Sequence, residues 1–370
     1  MSAPVPPCPK SSLIKEVLLS GTRHFAGEGD MWPLTWAADG NLYGGAGDNS
    51  GSPMNLWRIE KGPTDVEMEI VDNMPVEAAM YCKPYFDPSI KESGLKNMNV
   101  NKFHFAAAGR LRGLSIKPAS LISIKGVLYF AVETMNYGDN PAFNRQHNLN
   151  GWIMTSTDFG KTWDKEVTPM DFLTGRLASP HFVQFGRDYE GARDEYVYAL
   201  FPAAEDGGNY WENADFLLLG RVHKDKIIIR KEWEFFTGTG KSGDPVWDKD
   251  DNLAKPVFNY PRMTGENHVA YNKGIKRYIM GNFSHLTIDG EPKPFHAGNT
   301  FPSQLTLYEA PQPWGPWSLF YQDDNWGCYG DYQPNFTPKW MSEDGKTIWM
   351  VASGQINDYV FITQKIELRL

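Results

Sequence analysis

Asp30 opens the apolar run Met-Trp-Pro-Leu-Thr-Trp, and Glu266 stands just ahead of the run His268-Val-Ala-Tyr. Two carboxylates held in different surroundings can divide the work of a general acid and a general base. The same position, the start or end of an apolar run, collects Asp48, Lys117, Glu133, His181, His268, His285 and Asp331, with Arg145 and Trp211 in the segments just beyond. Histidines there could move protons, Lys117 or Arg145 could neutralise an anion, and an aromatic face such as Trp211 suits the apolar face of a sugar ring. Taken singly, each has a plainer reading. Asp30 and Asp48 are common turn residues, Glu266 and Asp331 could be solvated, and buried histidines are often structural. Their gathering at corresponding points of successive runs is what points to a site.

The runs themselves read as strands, about five to nine residues long and cut by Gly, Pro, Asn and Asp. One phrase recurs: a strand, a tight polar-Gly turn, and a second strand with an early Tyr. It appears as PLTWAADGNLYGGAGD (33–48), ASLISIKGVLYFAVE (119–133), HVAYNKGIKRYIMGN (268–282) and NFTPKWMSEDGKTIWMVASG (335–354), with a looser copy at 181–201. Further strands follow each copy, but only one, DYVFITQKIEL, follows the last. The orphan strand Ser12–Gly21 near the N-terminus can complete that final sheet. This describes an all-β, five-bladed β-propeller over residues 1–370, its last blade closed by the N-terminal strand. Segments 76–112 and 238–265 fall outside the pattern and are expected as long loops over one face. In such a fold the first strand of each blade lines the central channel, so the candidates above should share one face.

Composition narrows the functions. The 370 residues are 41% hydrophobic and 14% aromatic, enough for a large core, and the net charge is -9. Nucleic acid and an anionic membrane surface are therefore poor partners, and no run approaches the about 18 apolar residues of a membrane helix. Cys8, Cys82 and Cys328 cannot build a disulfide framework and are expected as inert thiols. No P-loop, Cys-x-x-Cys, Gly-x-Ser-x-Gly or His-Glu-x-x-His motif is present. The start Met-Ser-Ala-Pro lacks the features of a signal peptide, which leaves a mature extracellular form or, alternatively, a cytoplasmic protein. Sequons at Asn282 and Asn335 are compatible with secretion.

Ser156-Thr-Asp-Phe-Gly-Lys-Thr-Trp163 matches the Asp-box found in sialidase-type propellers, and Ser342-Glu-Asp-Gly-Lys-Thr-Ile-Trp349 is a shortened variant. Asp and Gly suit the tight turn and Trp packs under it, so the motif is read as structural. With GWIMTSTDFGKTW, EYVYALFPAAEDGGNYWENADFLLLGRV and GENHVAYNKGIKRYIMGNF, the chain resembles five-bladed propeller glycosidases of the arabinanase, xylosidase and fructosidase type. More narrowly, it resembles a former domain-of-unknown-function propeller family that includes endo-D-arabinanases. The resemblance implies that Asp30 is the base or nucleophile and Glu266 the acid, with anomeric inversion. The family's third carboxylate has no counterpart, since His181 stands at its place.

The expected function is thus a glycoside hydrolase acting on a plant or microbial oligosaccharide or polysaccharide. Asp48, Lys117, Glu133, Arg145, His181, Trp211, His268, His285 and Asp331 would bind substrate. No cofactor is required, although a structural cation in the central channel is compatible with the fold. The alternatives are a propeller polysaccharide lyase, using His, Tyr and Arg on a uronate-containing glycan, and a non-catalytic sugar-binding propeller.

Overall fold

Short turns and β-rich runs give mostly antiparallel sheet, and among the described residues the helical pieces are three-residue 3-10 turns. The computed structural model describes residues 4–49, 52–73, 114–136, 147–165, 167–285, 287–288, 291–292, 303–327, 331–354 and 359–370. A first group of strands, Asp30–Trp36, Leu42–Asn49, Ser52–Glu60 and Glu67–Asn73, pairs in chain order. A second runs Leu114–Ile124, Val127–Asn136 and His147–Ser156. The third is built on His181–Phe182, Tyr196–Ala203 and Ala214–His223. In the fourth, His268–Asn272, Arg277–His285, Ser303–Ala310 and Ser318–Trp326 again follow chain order.

The last group is Tyr332–Met341, Thr347–Gly354 and Val360–Arg369, with Glu16–Ala26 paired antiparallel along its outer edge. That N-terminal strand lies a few residues later than the expected 12–21. The amides of Leu13 and Ile14 donate to the Ser11 hydroxyl, which turns the chain there before pairing begins. Segment 238–265, expected as a loop, instead extends the third group. Pro245–Asp248 pairs with Glu234–Thr239, and Phe258–Thr264 pairs with Ala214–His223. Its apolar residues, Trp247 and Phe258 among them, pack against the core and explain the change. Segment 76–112 lies outside the described residues.

The first strands of the groups meet at the centre. Asp30–Trp36 packs on Leu114–Ile124, which touches His181–Phe182. That short strand touches His268–Asn272, which packs on Tyr332–Met341, and the latter packs on Asp30–Trp36. Apolar residues fill the spaces between groups: Trp32, Leu34 and Ile59 meet Trp340, Val351 and Phe361, while Ile279 and Leu307 meet Phe336 and Ile366. Burying each such side chain stabilises by roughly 1.5–3 kcal/mol.

Three of these central strands are bulged close to their start. Pairing registers slip after Met31, after Pro118 and after Tyr332. Met31, Trp32 and Gln333 have φ of 76°, 51° and 50°, left-handed values that only strong packing imposes on bulky residues. Bulges re-aim side chains, and these three lie beside Asp30, Lys117 and Tyr332.

Candidate active site

Asp30 begins its strand opposite Gly47, where a Cβ would lie 2.5 Å from the Asp30 Oδ1. The absence of a side chain at Gly47 lets the carboxyl turn inward. There its Oδ2 accepts the Tyr332 hydroxyl at 2.9 Å, and its Oδ1 lies 3.5 Å from the Lys117 ammonium. Asp30, Lys117 and Tyr332 are all buried.

Lys117 pairs across the strands with Glu133, which has no exposed surface. Ser179 and Glu266 lie near Glu133, but neither of its carboxyl oxygens finds a partner at hydrogen-bond geometry. Burial, then the charge of Glu266, push its carboxyl well above the ordinary range, against the weaker pulls of Ser179 and Lys117. A carboxyl so placed holds its proton.

Glu266 follows Gly265, where a Cβ would stand 2.5 Å from the Phe283 ring. Its amide donates to the Trp211 carbonyl at 2.9 Å. Its Oε1 accepts from Asn148 Nδ2 and Ser179 Oγ, both at 3.1 Å, and its Oε2 accepts from Gln333 Nε2 at 2.6 Å. His181 Nε2 lies 3.7 Å away and 2.8 Å from Ser179 Oγ. Edge-on to His181, at 5.1 Å between ring centres, is His268. Burial, then His181, hold the His268 imidazole well below its ordinary range, so it is neutral.

The two predicted carboxylates are joined through one dipeptide. Tyr332 donates to Asp30, and the next residue, Gln333, donates to Glu266. Trp211, half-buried, adds a second link, its ring against Tyr332 and its carbonyl on the Glu266 amide.

Asp30, Lys117, Glu133, His181, Trp211, Glu266 and His268 therefore belong to one buried centre. Asp331 stands beside Tyr332 but is tied to Arg23 of the N-terminal strand. Burial raises its carboxyl and Arg23 pulls it down. Asp48 is the last residue but one of Leu42–Asn49 and His285 ends Arg277–His285, and their side chains, like all of Arg145, lie outside the described residues. Sequence reasoning missed Ser179, Asn148 and Gln333. Only Gln333 carried a signal, through its place after Asp331 and Tyr332 at the head of a central strand. Asn148 arrives because Asn209–Tyr210 bridges the second and third groups. Among the described residues, no three His, Cys, Asp or Glu side chains are grouped to hold a metal ion. Asn282 and Asn335 are buried and donate internally, to Met263 and Thr306 and to Trp32, so the folded chain does not present either sequon.

No protein-family model matches this chain, and no curated protein does. Among solved structures it is similar to a putative hydrolase from Bacteroides ovatus, with TM-score 0.49, 11% identity, and coverage of 92% of this chain and 85% of the other. A GH43_1 enzyme from Xanthomonas citri, complexed with xylotriose, gives TM-score 0.48 and 11% identity over 92% and 87%. A GH32 beta-fructofuranosidase from Bombyx mori gives 0.45 and 12% over 92% and 60%. The structural neighbours thus include β-propeller glycosidases at low identity.

Proposed function

We propose that this chain is a glycoside hydrolase that cleaves an oligosaccharide or polysaccharide by carboxylate acid–base catalysis, acting outside the cell on a five-bladed propeller closed by its N-terminal strand. The contacts among the first strands of the groups and the pairing of Glu16–Ala26 with Val360–Arg369 support the architecture. The observation that carries the chemistry is the dipeptide Tyr332-Gln333, which holds Asp30 and Glu266 on adjacent side chains.

Their surroundings divide the roles. Asp30, beside an ammonium and a phenol, is kept as a carboxylate and serves as the base that activates water. Glu266, whose donors Asn148, Ser179 and Gln333 are all uncharged and whose neighbour is a second carboxyl, serves as the acid that protonates the leaving oxygen. Both carboxyls are buried, so a glycan must reach beneath the surface to meet them. The Trp211 ring offers a stacking face beside Tyr332.

A panel of glycans tests this reading. Release of reducing ends without the ultraviolet absorbance of an unsaturated uronic ring is the expected result. Absorbance at cleavage would establish the lyase instead, with neutral His268 as proton acceptor, and binding without cleavage would establish a lectin.

A further inference from the structure

Lys117 was expected to bind substrate, yet its ammonium points at a protein carboxylate. It comes from the second group of strands and reaches Asp30 of the first, at 3.5 Å, with its side chain 3% exposed. The register slip that follows Pro118 turns the strand just after it. Gly47 clears the space in which the two side chains meet, since a Cβ there would lie 3.2 Å from the Lys117 nitrogen as well as against Asp30. Across the strands from Lys117 stands Glu133, and beyond it Glu266.

We propose that Lys117 is a positioning residue for the acid–base pair, whose ammonium keeps Asp30 ionised and turned to Tyr332 and so sets the base apart from Glu133 and Glu266. A buried carboxylate without a counter-charge takes up a proton rather than remain charged. The Lys117 ammonium lies against Asp30, and its charge favours the ionised carboxylate there. Glu133, on the far side of the same ammonium, holds its proton because burial and Glu266 outweigh the pull of Lys117. Tyr332 of the fifth group also faces Asp30, and the Arg23–Asp331 pair lies one residue before Tyr332. His181 lies 3.7 Å from Glu266, and His268 packs edge-on against His181.

The inference rests on the hydrolase reading only for its kinetic arm. In Lys117→Met, the acidic limb of the kcat/KM profile should move up by about one to three pH units, the shift set by an opposite charge at this range. Lys117→Arg, which restores the charge, should bring the limb back towards that of the wild type. A merely structural lysine would lower kcat without moving the limb.

The second arm needs no substrate. Carboxyl infrared bands are titrated in the wild type and in Lys117→Met, and the Asp30 band is assigned by its loss in Asp30→Asn. Its midpoint should rise in Lys117→Met by the same amount. Lys117→Gln, which keeps a donor but no charge, should show that rise too, and answers the question if the Met variant does not fold. An Asp30 midpoint unchanged in either folded variant overturns the proposal, whether or not the wild type hydrolyses a glycan. A protein that cleaves nothing on the panel but shows the infrared shift keeps Lys117 in this role and loses only the hydrolase reading.

Discussion

Asp30 and Glu266 are buried almost equally, at 5% and 0% exposure, in opposite company. Asp30 has an ammonium and a phenol, from the second and fifth groups of strands. Glu266 has three uncharged donors and a second carboxyl, from the second, third and fifth. Burial alone would drive both towards the neutral acid. What separates them is a single cation on one side and a second acid on the other. The lesson is that neighbours, rather than depth, assign the roles in a dry site.

The largest expected effect tests both halves at once. Asp30→Asn and Glu266→Gln are nearly isosteric, so each should keep the fold and lower turnover by at least about 10²-fold. Either variant retaining wild-type turnover would remove its half from the chemistry.

Two glycines separate positioning from stability. Gly47→Ala presses on the flexible Asp30 and Lys117 side chains, which can shift. It should therefore appear in turnover, by roughly tenfold or more, since small misplacements are costly in catalysis. Gly265→Ala meets the Phe283 ring and carbonyl at 2.5 and 2.7 Å, which cannot move so easily. It should cost about 1–3 kcal/mol of stability, the usual range for overpacking, and is checked by denaturant unfolding.

Glu133 gives the comparison a pH dependence. Its proton is held to higher pH in the folded chain than in the unfolded one. The folded state therefore binds more protons above the ordinary glutamate range, and stability falls as pH rises through that window, by about 1.4 kcal/mol per pH unit. Glu133→Gln lacks this loss. Its Tm should exceed that of the wild type by a margin that widens from about pH 5 to about pH 8. A constant margin would mean that Glu133 is ionised and the asymmetry misread.

The smallest effect belongs to a carboxylate outside the centre. Asp158 accepts from the Thr162 amide and hydroxyl at 2.9 and 2.7 Å, which lowers it to about 2. Asp158→Asn should weaken that turn slightly and leave turnover at the wild-type level in a standard assay.

Much of the centre was legible because the entry and exit positions of paired strands gather there. Asp30, Lys117, Glu133, His181, Glu266 and His268 all follow from that positional rule. What each touches did not follow. The slips after Met31, Pro118 and Tyr332 rotate side chains by local backbone strain that no alternation of apolar residues reveals. Asp331 looked equivalent to Asp30, yet an arginine on the distant N-terminal strand takes it. Ser179 and Asn148 reach Glu266 through tertiary folding that brings Asn148 118 residues back along the chain. The strands within 238–265 escape a reading of sequence because Gly, Asp and Lys dominate the first half of that segment, and tertiary pairing overrides that composition.

The division of labour between Asp30 and Glu266 is tested most directly by the leaving group. Aryl glycosides of the sugar released on the glycan panel should be compared, with leaving groups that do and do not need protonation, in wild type and both variants. A leaving group that departs unprotonated no longer needs the acid but still needs the base. Glu266→Gln should therefore recover most of its turnover on the activated substrate, while Asp30→Asn should recover none. Equal recovery in both variants, or recovery in Asp30→Asn alone, would contradict the assignment of base and acid.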